Sequence, residues 1–272
     1  MAPRYAEKFT TIDGSTLVYT FPLALYDWDP APQGLSTLYA PLSGAHYDYD
    51  QLGDSLAVRR NTMETMRFLV KGTNAEIEDE LVECRQKCQR IGRGKLWTLD
   101  STGARRWAYA RLQSVPEFRL DNPFVVPVAV TVDRQSDWYD DTETDQTVTM
   151  DEASEAFNVT NDGDAQVFNA VFLLKGTFIN PVITNTTNGY VLESTRDGSA
   201  AGHWLRFDAG KRRVEFSSNG GTSYAGDYAN FVRQAGQVHL MVLEAGVNAF
   251  TATFGGTPSG TLDVNFYPAY HL

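Results

Sequence analysis

The sequence of 272 residues contains few cysteines, fewer basic than acidic residues and no long apolar run. Its two cysteines exclude a disulfide-rich secreted scaffold. No segment approaches the roughly 18 apolar residues that span a membrane, and the first residues lack the apolar core of a signal peptide. We therefore expect a protein that makes no membrane contact and that is synthesised and folded in a cytoplasm.

Positive charge is scarce as well. The chain has 23 Lys and Arg against 34 Asp and Glu, a net charge of −11. A chain of this charge repels polyanions as a whole, and no Lys/Arg stripe along the sequence marks a phosphate-tracking surface. We expect no sequence-specific nucleic-acid binding.

The motifs of common enzyme classes are missing too. GxSxG, Walker A, GxGxxG and HExxH do not occur. Carboxylate pairs such as Asp162 and Asp164 carry no weight in a chain with 34 acidic residues. The four histidines form no HxxxH-type cluster. We predict no catalytic, cofactor-binding or metal-binding residues.

The two cysteines, Cys84 and Cys88, belong to a segment with a helical pattern, TNAEIEDELVECRQKCQRIG from Thr73. Thr73 and Glu76 have capping-box spacing, and Gly92 stands where a helix ends. One apolar stripe contains Ile77, Leu81, Cys84, Cys88 and Ile91. Since the Cβ atoms of residues i and i+4 point in parallel directions, a disulfide is unfavourable, and both cysteines are interpreted as buried small apolar side chains.

Patterns along the chain predict a mainly β protein with two domains. Residues 1–139 combine alternating strands, the lone helix and a hairpin candidate, GKLWTLDSTGARRWAYARLQSV, which predict an α+β domain with a mostly antiparallel sheet. Residues 140–157 contain seven acidic and no basic residues and predict an acidic, solvated linker. Residues 158–272 contain seven or more short apolar runs between turn clusters and predict a β-sandwich.

Aromatic side chains are the binding candidates in both domains. In the first domain they either bury against a neighbouring subunit or fill the domain's own core; they are Trp97, Trp107, Tyr109 and Trp138. In the second domain a possible sugar platform consists of Trp204, Tyr224 and Tyr228. Trp204 lies in an alternating strand, where an aromatic residue is more often a core or cross-strand partner. A carbohydrate-binding protein or sugar-active enzyme is thus the alternative function.

Five segments of the second domain follow one another in a fixed order: NDGDAQ, KGTFINPVITNTTNG, LRFDAGKRRVEF, LEAGVNAFTATF and VNFYPAYHL. In order and spacing they are similar to the C-terminal sandwich of siphophage distal tail proteins, the baseplate hub family. In the first half, GAHYDYDQLGDS, the helix, the hairpin and SDWY resemble the ring-forming domain of that family. The resemblance covers nearly the whole chain.

This resemblance implies a galectin-like C-terminal domain and a sixfold homo-oligomeric ring in the virion, below the tail tube protein. It also implies contacts with hub or fibre proteins at the tail tip or baseplate, and DNA that passes through the lumen. The family's turn- and strand-shaping positions, none of them catalytic, match Asn161, Gly163, Asp164, Asn180, Pro181, Gly246, Asn248, Pro268, Ala269 and Tyr270.

Two expectations concern the ring itself. A cationic lumen would hold DNA phosphates and slow their passage, so the net charge of −11 predicts a neutral or acidic lumen wall. The first domain carries the candidate interface aromatics, so we expect residues 1–139 alone to assemble into rings. Residues 158–272 are expected to fold as a monomer.

Overall fold

The computed structural model describes residues 4–10, 14–20, 25–29, 35–36, 39–40, 49–50, 58–59, 62–91, 93–100, 103–112, 117–118 and 125–271. The chain divides into two compact units, residues 1–139 with 271–272, and residues 140–270. No helix among the described residues is both long and apolar enough to cross a membrane. The mainly β fold with one helix and several antiparallel sheets is confirmed.

The first unit is an antiparallel sheet accompanied by one helix. Its elements are β1 Arg4–Thr10, β2 Leu17–Thr20, β3 Leu25–Asp29, β4 Leu35–Ser36, β5 Tyr39–Ala40, β6 Tyr49–Asp50, β7 Val58–Arg59, β8 Thr62–Lys71, α1 Asn74–Ile91, β9 Arg93–Asp100, β10 Arg105–Leu112, β11 Glu117–Phe118, β12 Val125–Arg134 and β13 Trp138–Asp140. The sheet order is β2–β1–β9–β10–β12–β8–β3, with β11 beside β12 and β13 beside β10. Strands β4 and β7 form a separate pair, as do β5 and β6.

Helix α1 begins as its sequence predicts. The Glu76 carboxylate accepts hydrogen bonds from the Thr73 backbone N–H at 2.8 Å and from the Thr73 hydroxyl at 3.0 Å, which completes a capping box. These bonds lower the pKa of Glu76. Ile77 and Leu81 of the predicted stripe are buried. The side chains of Cys84 and Cys88 lie outside the described residues, so their interpretation stays a prediction.

The predicted hairpin is present as β9 and β10. Trp97 lies directly opposite Trp107 in its register. Because side chains alternate between the two faces, Leu96, Ala108 and Ala110 point to the other side, where all three are fully buried. The hairpin therefore has a largely apolar core face and an opposite face that carries its aromatic residues and all of its basic residues except Arg106.

The second unit is a sandwich of two antiparallel sheets. Its strands are β14 Thr144–Met150, β15 Ser154–Asn161, β16 Val171–Thr177, β17 Val182–Asn185, β18 Val191–Ser194, β19 Trp204–Asp208, β20 Arg213–Ser217, β21 Ala225–Gly226, β22 Phe231–Val232, β23 Gly246–Thr253, β24 Ser259–Phe266 and β25 Ala269–Tyr270. A short 3-10 turn spans Tyr228–Asn230. One sheet has the order β14–β24–β16–β19–β20–β21, the other β15–β23–β17–β18–β22.

The sandwich core follows from strand alternation. On β16, Phe172 and Leu174 are buried while their neighbours are half-exposed, and β24 shows the same pattern. Fully buried side chains from both sheets fill the interior: Phe172, Ile183, Leu192, Leu205, Val214, Phe250, Leu262, Val264 and Phe266. The sandwich predicted from the short apolar runs is the observed architecture.

The prediction of a solvated linker at residues 140–157 is wrong. Strand β14 pairs with β24 along its whole length, and β15 pairs with β23. Each is the outer strand of its sheet, so its backbone is paired on one side only. Asp145 of β14 is exposed, and Glu155 of β15 is half-exposed. Of the seven acidic residues, Asp145 lies on β14 and Glu155 on β15, and the other five lie before β14 or between the two strands.

Candidate functional site

An aromatic cluster lies on the face of the β9–β10 hairpin that is opposite to Leu96, Ala108 and Ala110. The ring centroids of Trp107 and Tyr109 are 5.2 Å apart with an edge-to-face arrangement, and Trp97 lies 6.3 Å from Trp107. Tyr139 completes the cluster at 4.7 Å from Trp107. Three of the four candidate interface residues are thus brought together, and the fourth, Trp138, precedes Tyr139.

Burial separates these four candidates into two groups. Trp107 is 2% exposed and Trp138 is 0% exposed within a single chain, so their rings fill the chain's own interior. Of the two alternatives, burial within one chain favours the core role for these two side chains, and their interface role stays a prediction. Trp97 and Tyr109 are half-buried and keep surface that another molecule can cover. Their role at a subunit interface stays a prediction.

Basic side chains lie over these rings. The Lys95 ammonium is 3.9 Å from the Trp107 ring centroid, the Lys8 ammonium 4.9 Å from Trp97, and the Arg93 guanidinium 4.4 Å from Tyr109. Such contacts stabilise by about 0.5–1 kcal/mol each at exposed sites. We call this surface the basic face: Lys8, Arg93, Lys95, Arg105 and Arg111 with Trp97, Trp107 and Tyr109.

The basic face corrects the expectation that the chain has no Lys/Arg stripe. Its cations are at least two residues apart in the sequence and come from three strands, so they form no continuous run of charge. They share a face because side chains alternate along each strand and because β1, β9 and β10 are neighbours. The sequence does contain a signal for this face, because every second residue is basic or aromatic in RGK (Arg93, Lys95) and in RRWAYAR (Arg105, Trp107, Tyr109, Arg111).

The candidate sugar residues are only partly brought together. Trp204 and Tyr224 both lie next to Gly221, where an added Cβ would come within 2.3 Å of the Trp204 ring and 3.1 Å of the Tyr224 hydroxyl. Tyr228 is 56% exposed, and its hydroxyl donates to the Arg212 carbonyl. Trp204 and Tyr224 therefore form one cluster around Gly221. Among the described residues, Tyr228 makes no ring contact with either of them.

Charged side chains occupy the surface around Trp204 and Tyr224. Lys175 lies over the Trp204 ring at 4.8 Å and pairs with Asp263. Arg206 lies over the Tyr224 ring at 4.0 Å and pairs with Glu215. Burial raises the pKa of Tyr224, although Arg206 and Lys175 oppose this shift, so the phenol is neutral at physiological pH. These contacts cover ring surface that a stacked sugar would need.

The turn-shaping positions implied by the resemblance have identifiable backbone roles. Asn161 accepts the Gly163 N–H and donates to the Ala165 carbonyl. A Cβ on Gly163 would lie 1.9 Å from the Ala269 carbonyl oxygen, so only glycine fits. Asn180 (φ 43°) and Gly246 (φ 83°) have left-handed backbone conformations. None of these contacts forms a chemical site.

Groups of acidic, histidine or cysteine side chains are also relevant to metal binding. Within the described part of the chain, no three such residues are grouped as a metal ion would require.

Comparison with known proteins relates the chain to others by fold. No protein-family model matches the sequence, and no curated protein matches it. The crystal structure of the SPP1 Dit (gp 19.1) protein, described as a paradigm of hub adsorption apparatus in Gram-positive infecting phages, aligns with a TM-score of 0.60 and 11% identity, and the alignment covers 89% of this chain and 91% of that chain. The phage P2 baseplate in its activated conformation with Ca aligns with a TM-score of 0.49 and 8% identity over 97% and 98% of the two chains.

The alignment with SPP1 Dit includes both units, because it leaves out only about a tenth of either chain. An α+β unit with one helix followed by a two-sheet sandwich is the plan that the sequence predicts. The chain has the fold of the phage distal tail protein Dit.

Proposed function

We propose that the chain is a structural protein of a phage tail that forms a ring at the distal end of the tail tube. The observation that carries this proposal is the shared fold with SPP1 Dit over 89% of the chain. A fold alone does not determine a function, but an alignment of both units in one order is harder to obtain by chance than a lone sandwich. We propose six copies per ring and no catalytic activity.

In this proposal the ring joins the tail tube protein to hub or fibre proteins of the tail tip, and DNA passes through its lumen. Residues 140–270 carry 7 basic and 16 acidic residues, a net charge of −9, and residues 1–139 carry 16 and 18, a net charge of −2. A lumen that releases DNA needs a neutral or acidic wall. We therefore propose that the basic face points away from the lumen.

Assembly of the purified full-length chain tests the ring. Six copies of the 30.2 kDa chain give about 181 kDa. We expect light scattering after size exclusion to report this mass and negative-stain microscopy to show rings with a central hole. A monomer at every concentration tested would contradict the proposal.

The carbohydrate alternative depends on the cluster of Trp204 and Tyr224. Because the Trp204 ring packs against Gly221 and under Lys175, we expect Trp204→Ala to destabilise the protein by about 1–3 kcal/mol. Chemical denaturation measures this loss, and a glycan array measures binding. Tyr228→Ala is the control, with a loss below about 1 kcal/mol because the ring is largely exposed.

The two measurements separate the alternatives. A structural role predicts lower stability of Trp204→Ala and no glycan signal for the wild-type chain. A glycan that binds the wild-type chain and is lost in Trp204→Ala at unchanged stability would support the sugar platform instead.

A further inference from the structure

Two arginines of the basic face lie directly opposite each other. Arg93 of β9 pairs with Arg111 of β10 in the hairpin register, and both side chains are exposed. Like charges at directly opposite positions destabilise a sheet. Neither arginine forms an ion pair with a carboxylate of the described residues. Asp133 of β12 lies opposite Arg111 in the register, but it is not an ion-pair partner of Arg111 and accepts a hydrogen bond from the Gln135 side chain at 3.1 Å. The pair is suited to an anionic partner from another molecule.

The cations of this face are held in place before any partner binds. Arg93 stacks on Tyr109 and Lys95 on Trp107, and the Trp97 indole N–H donates to the Thr10 hydroxyl at 2.9 Å. Ordered charged side chains lose less conformational freedom on binding than free ones. Because their ring faces are covered by cations, Trp107 and Tyr109 offer little surface for stacking bases. These features favour an acidic protein surface over a nucleic acid.

The second unit carries such a surface on its edge strand β14 and on the residues directly before and after it, and we call this surface the acidic edge. Its exposed acidic residues are Asp141, Glu143, Asp145, Asp151 and Glu152. No Lys or Arg occurs between Arg134 and Lys175, so no basic residue of that segment neutralises the acidic edge. Strand β14 has seven residues and β9 and β10 have eight each, which correspond to lengths of about 23 and 26 Å. The two surfaces are opposite in charge and similar in length.

We propose that the basic face of one copy binds the acidic edge of a second copy. This contact adds to the contacts expected between first domains, and it rests on the proposed ring. The contact joins two different patches, one from each unit, and is therefore heterologous. Heterologous contacts close into rings when their rotation permits, whereas contacts between identical patches give dimers. Both patches recur on every copy, so each copy binds one neighbour with its first unit and the other neighbour with its second.

Charge reversal in the full-length chain tests this contact. Arg93→Glu with Arg111→Glu places two acidic side chains against the acidic edge, and Glu143→Lys with Asp145→Lys places two basic side chains against the basic face. We expect each double variant to raise the dissociation constant of assembly at least about tenfold at low salt. The variant that combines all four substitutions is expected to return to within about threefold of wild type. Mass photometry across a concentration series measures these constants.

The control is Arg85→Glu with Arg233→Glu, two exposed arginines off the basic face that change the net charge by the same amount. It is expected to assemble like the wild-type chain. Rings that form equally well in both interface variants would overturn this contact and leave the proposed function intact. A wild-type chain that stays monomeric would overturn both.

If the basic face binds a nucleic acid and not a second copy, a different result is expected. Fluorescence anisotropy of a labelled 20-base-pair duplex is measured at low salt with the wild-type chain and with Arg93→Glu/Arg111→Glu. If the variant loses duplex binding while its assembly is unchanged, the basic face is a DNA surface and the proposed contact is wrong. No duplex binding by the wild-type chain, together with rescue of assembly in the four-substitution variant, supports the proposal.

Discussion

A fragment that begins at residue 158 is expected to lose cooperative folding, whereas a fragment that begins at residue 140 is expected to keep it. The shorter fragment lacks all of β14 and half of β15. Without β14, the backbone of β24 loses the seven-residue ladder that pairs Thr144 with Phe266 and Met150 with Gly260. Backbone hydrogen bonds contribute about 0.5–1.5 kcal/mol each, so this ladder alone contributes several kcal/mol.

Two apolar side chains are lost as well. Met150 is 0% exposed, and Phe157 stacks on Phe250 at 5.2 Å between ring centroids. Removing a buried methionine side chain typically costs about 2–5 kcal/mol. A domain of this size has a total stability of about 5–15 kcal/mol, so the combined loss is comparable to the whole.

Thermal unfolding followed by circular dichroism measures the difference between fragments 140–272 and 158–272. The longer fragment is expected to show one cooperative transition and the shorter one a broad change with binding of a hydrophobic dye. Equal, sharp transitions in both fragments would show that β14 and β15 are dispensable. This boundary replaces the one at residue 158 that the acidic composition predicts.

The edge strands show why composition misplaced that boundary. On β14 the side chains alternate between exposed and half-exposed until Met150, and on β15 the first fully buried side chain is Val159. An edge strand needs apolar residues on one face only, and charges on its free side prevent pairing with other molecules. Such a strand therefore has the composition of a linker. Its pairing partners, β23 and β24, lie about a hundred residues further along and leave no local signal.

Local patterns succeeded where the determinants are close in sequence. The capping box of α1 needs only Thr73 and Glu76, and the hairpin needs only β9, β10 and the turn between them. The basic face depends instead on β1 lying beside β9, which places Lys8 over Trp97. The burial of Trp138 likewise depends on contacts that no local spacing encodes.

A buried amide network in the second unit was also absent from the sequence prediction. From the sequence, Asn161 and Asn248 are named only as separate turn- and strand-shaping positions. The structure places Asn161, Asn185 and Asn248 at 0% exposure. The Asn185 side-chain amide donates to the Asn248 side-chain oxygen at 3.1 Å and to the Val242 carbonyl at 3.0 Å. Alternation on β23 was the available signal, because the inward positions of Phe250 and Ala252 put Asn248 inside.

Asn248 is the centre of this network, and its replacement by alanine is expected to cost about 3–5 kcal/mol of unfolding free energy. Its side-chain oxygen accepts the Glu244 N–H at 2.8 Å, and its amide donates to the Glu244 carbonyl at 2.9 Å and the Gly246 carbonyl at 3.2 Å. Alanine would leave the Glu244 N–H and one of the two Asn185 amide hydrogens without an acceptor beside a fully buried position. Each buried unsatisfied group costs about 1–3 kcal/mol.

Urea denaturation of the full-length chain measures the loss. Asn265→Ala is the matched control, because Asn265 is half-exposed on β24 and makes no side-chain hydrogen bond among the described residues; its effect is expected within about 0.5 kcal/mol. A double-mutant cycle between Asn185 and Asn248 should give a coupling of about 0.5–3 kcal/mol, since they share a hydrogen bond. If Asn248→Ala unfolds like Asn265→Ala, the hydrogen bonds of Asn248 do not stabilise the second unit, and the proposed role of the network is wrong.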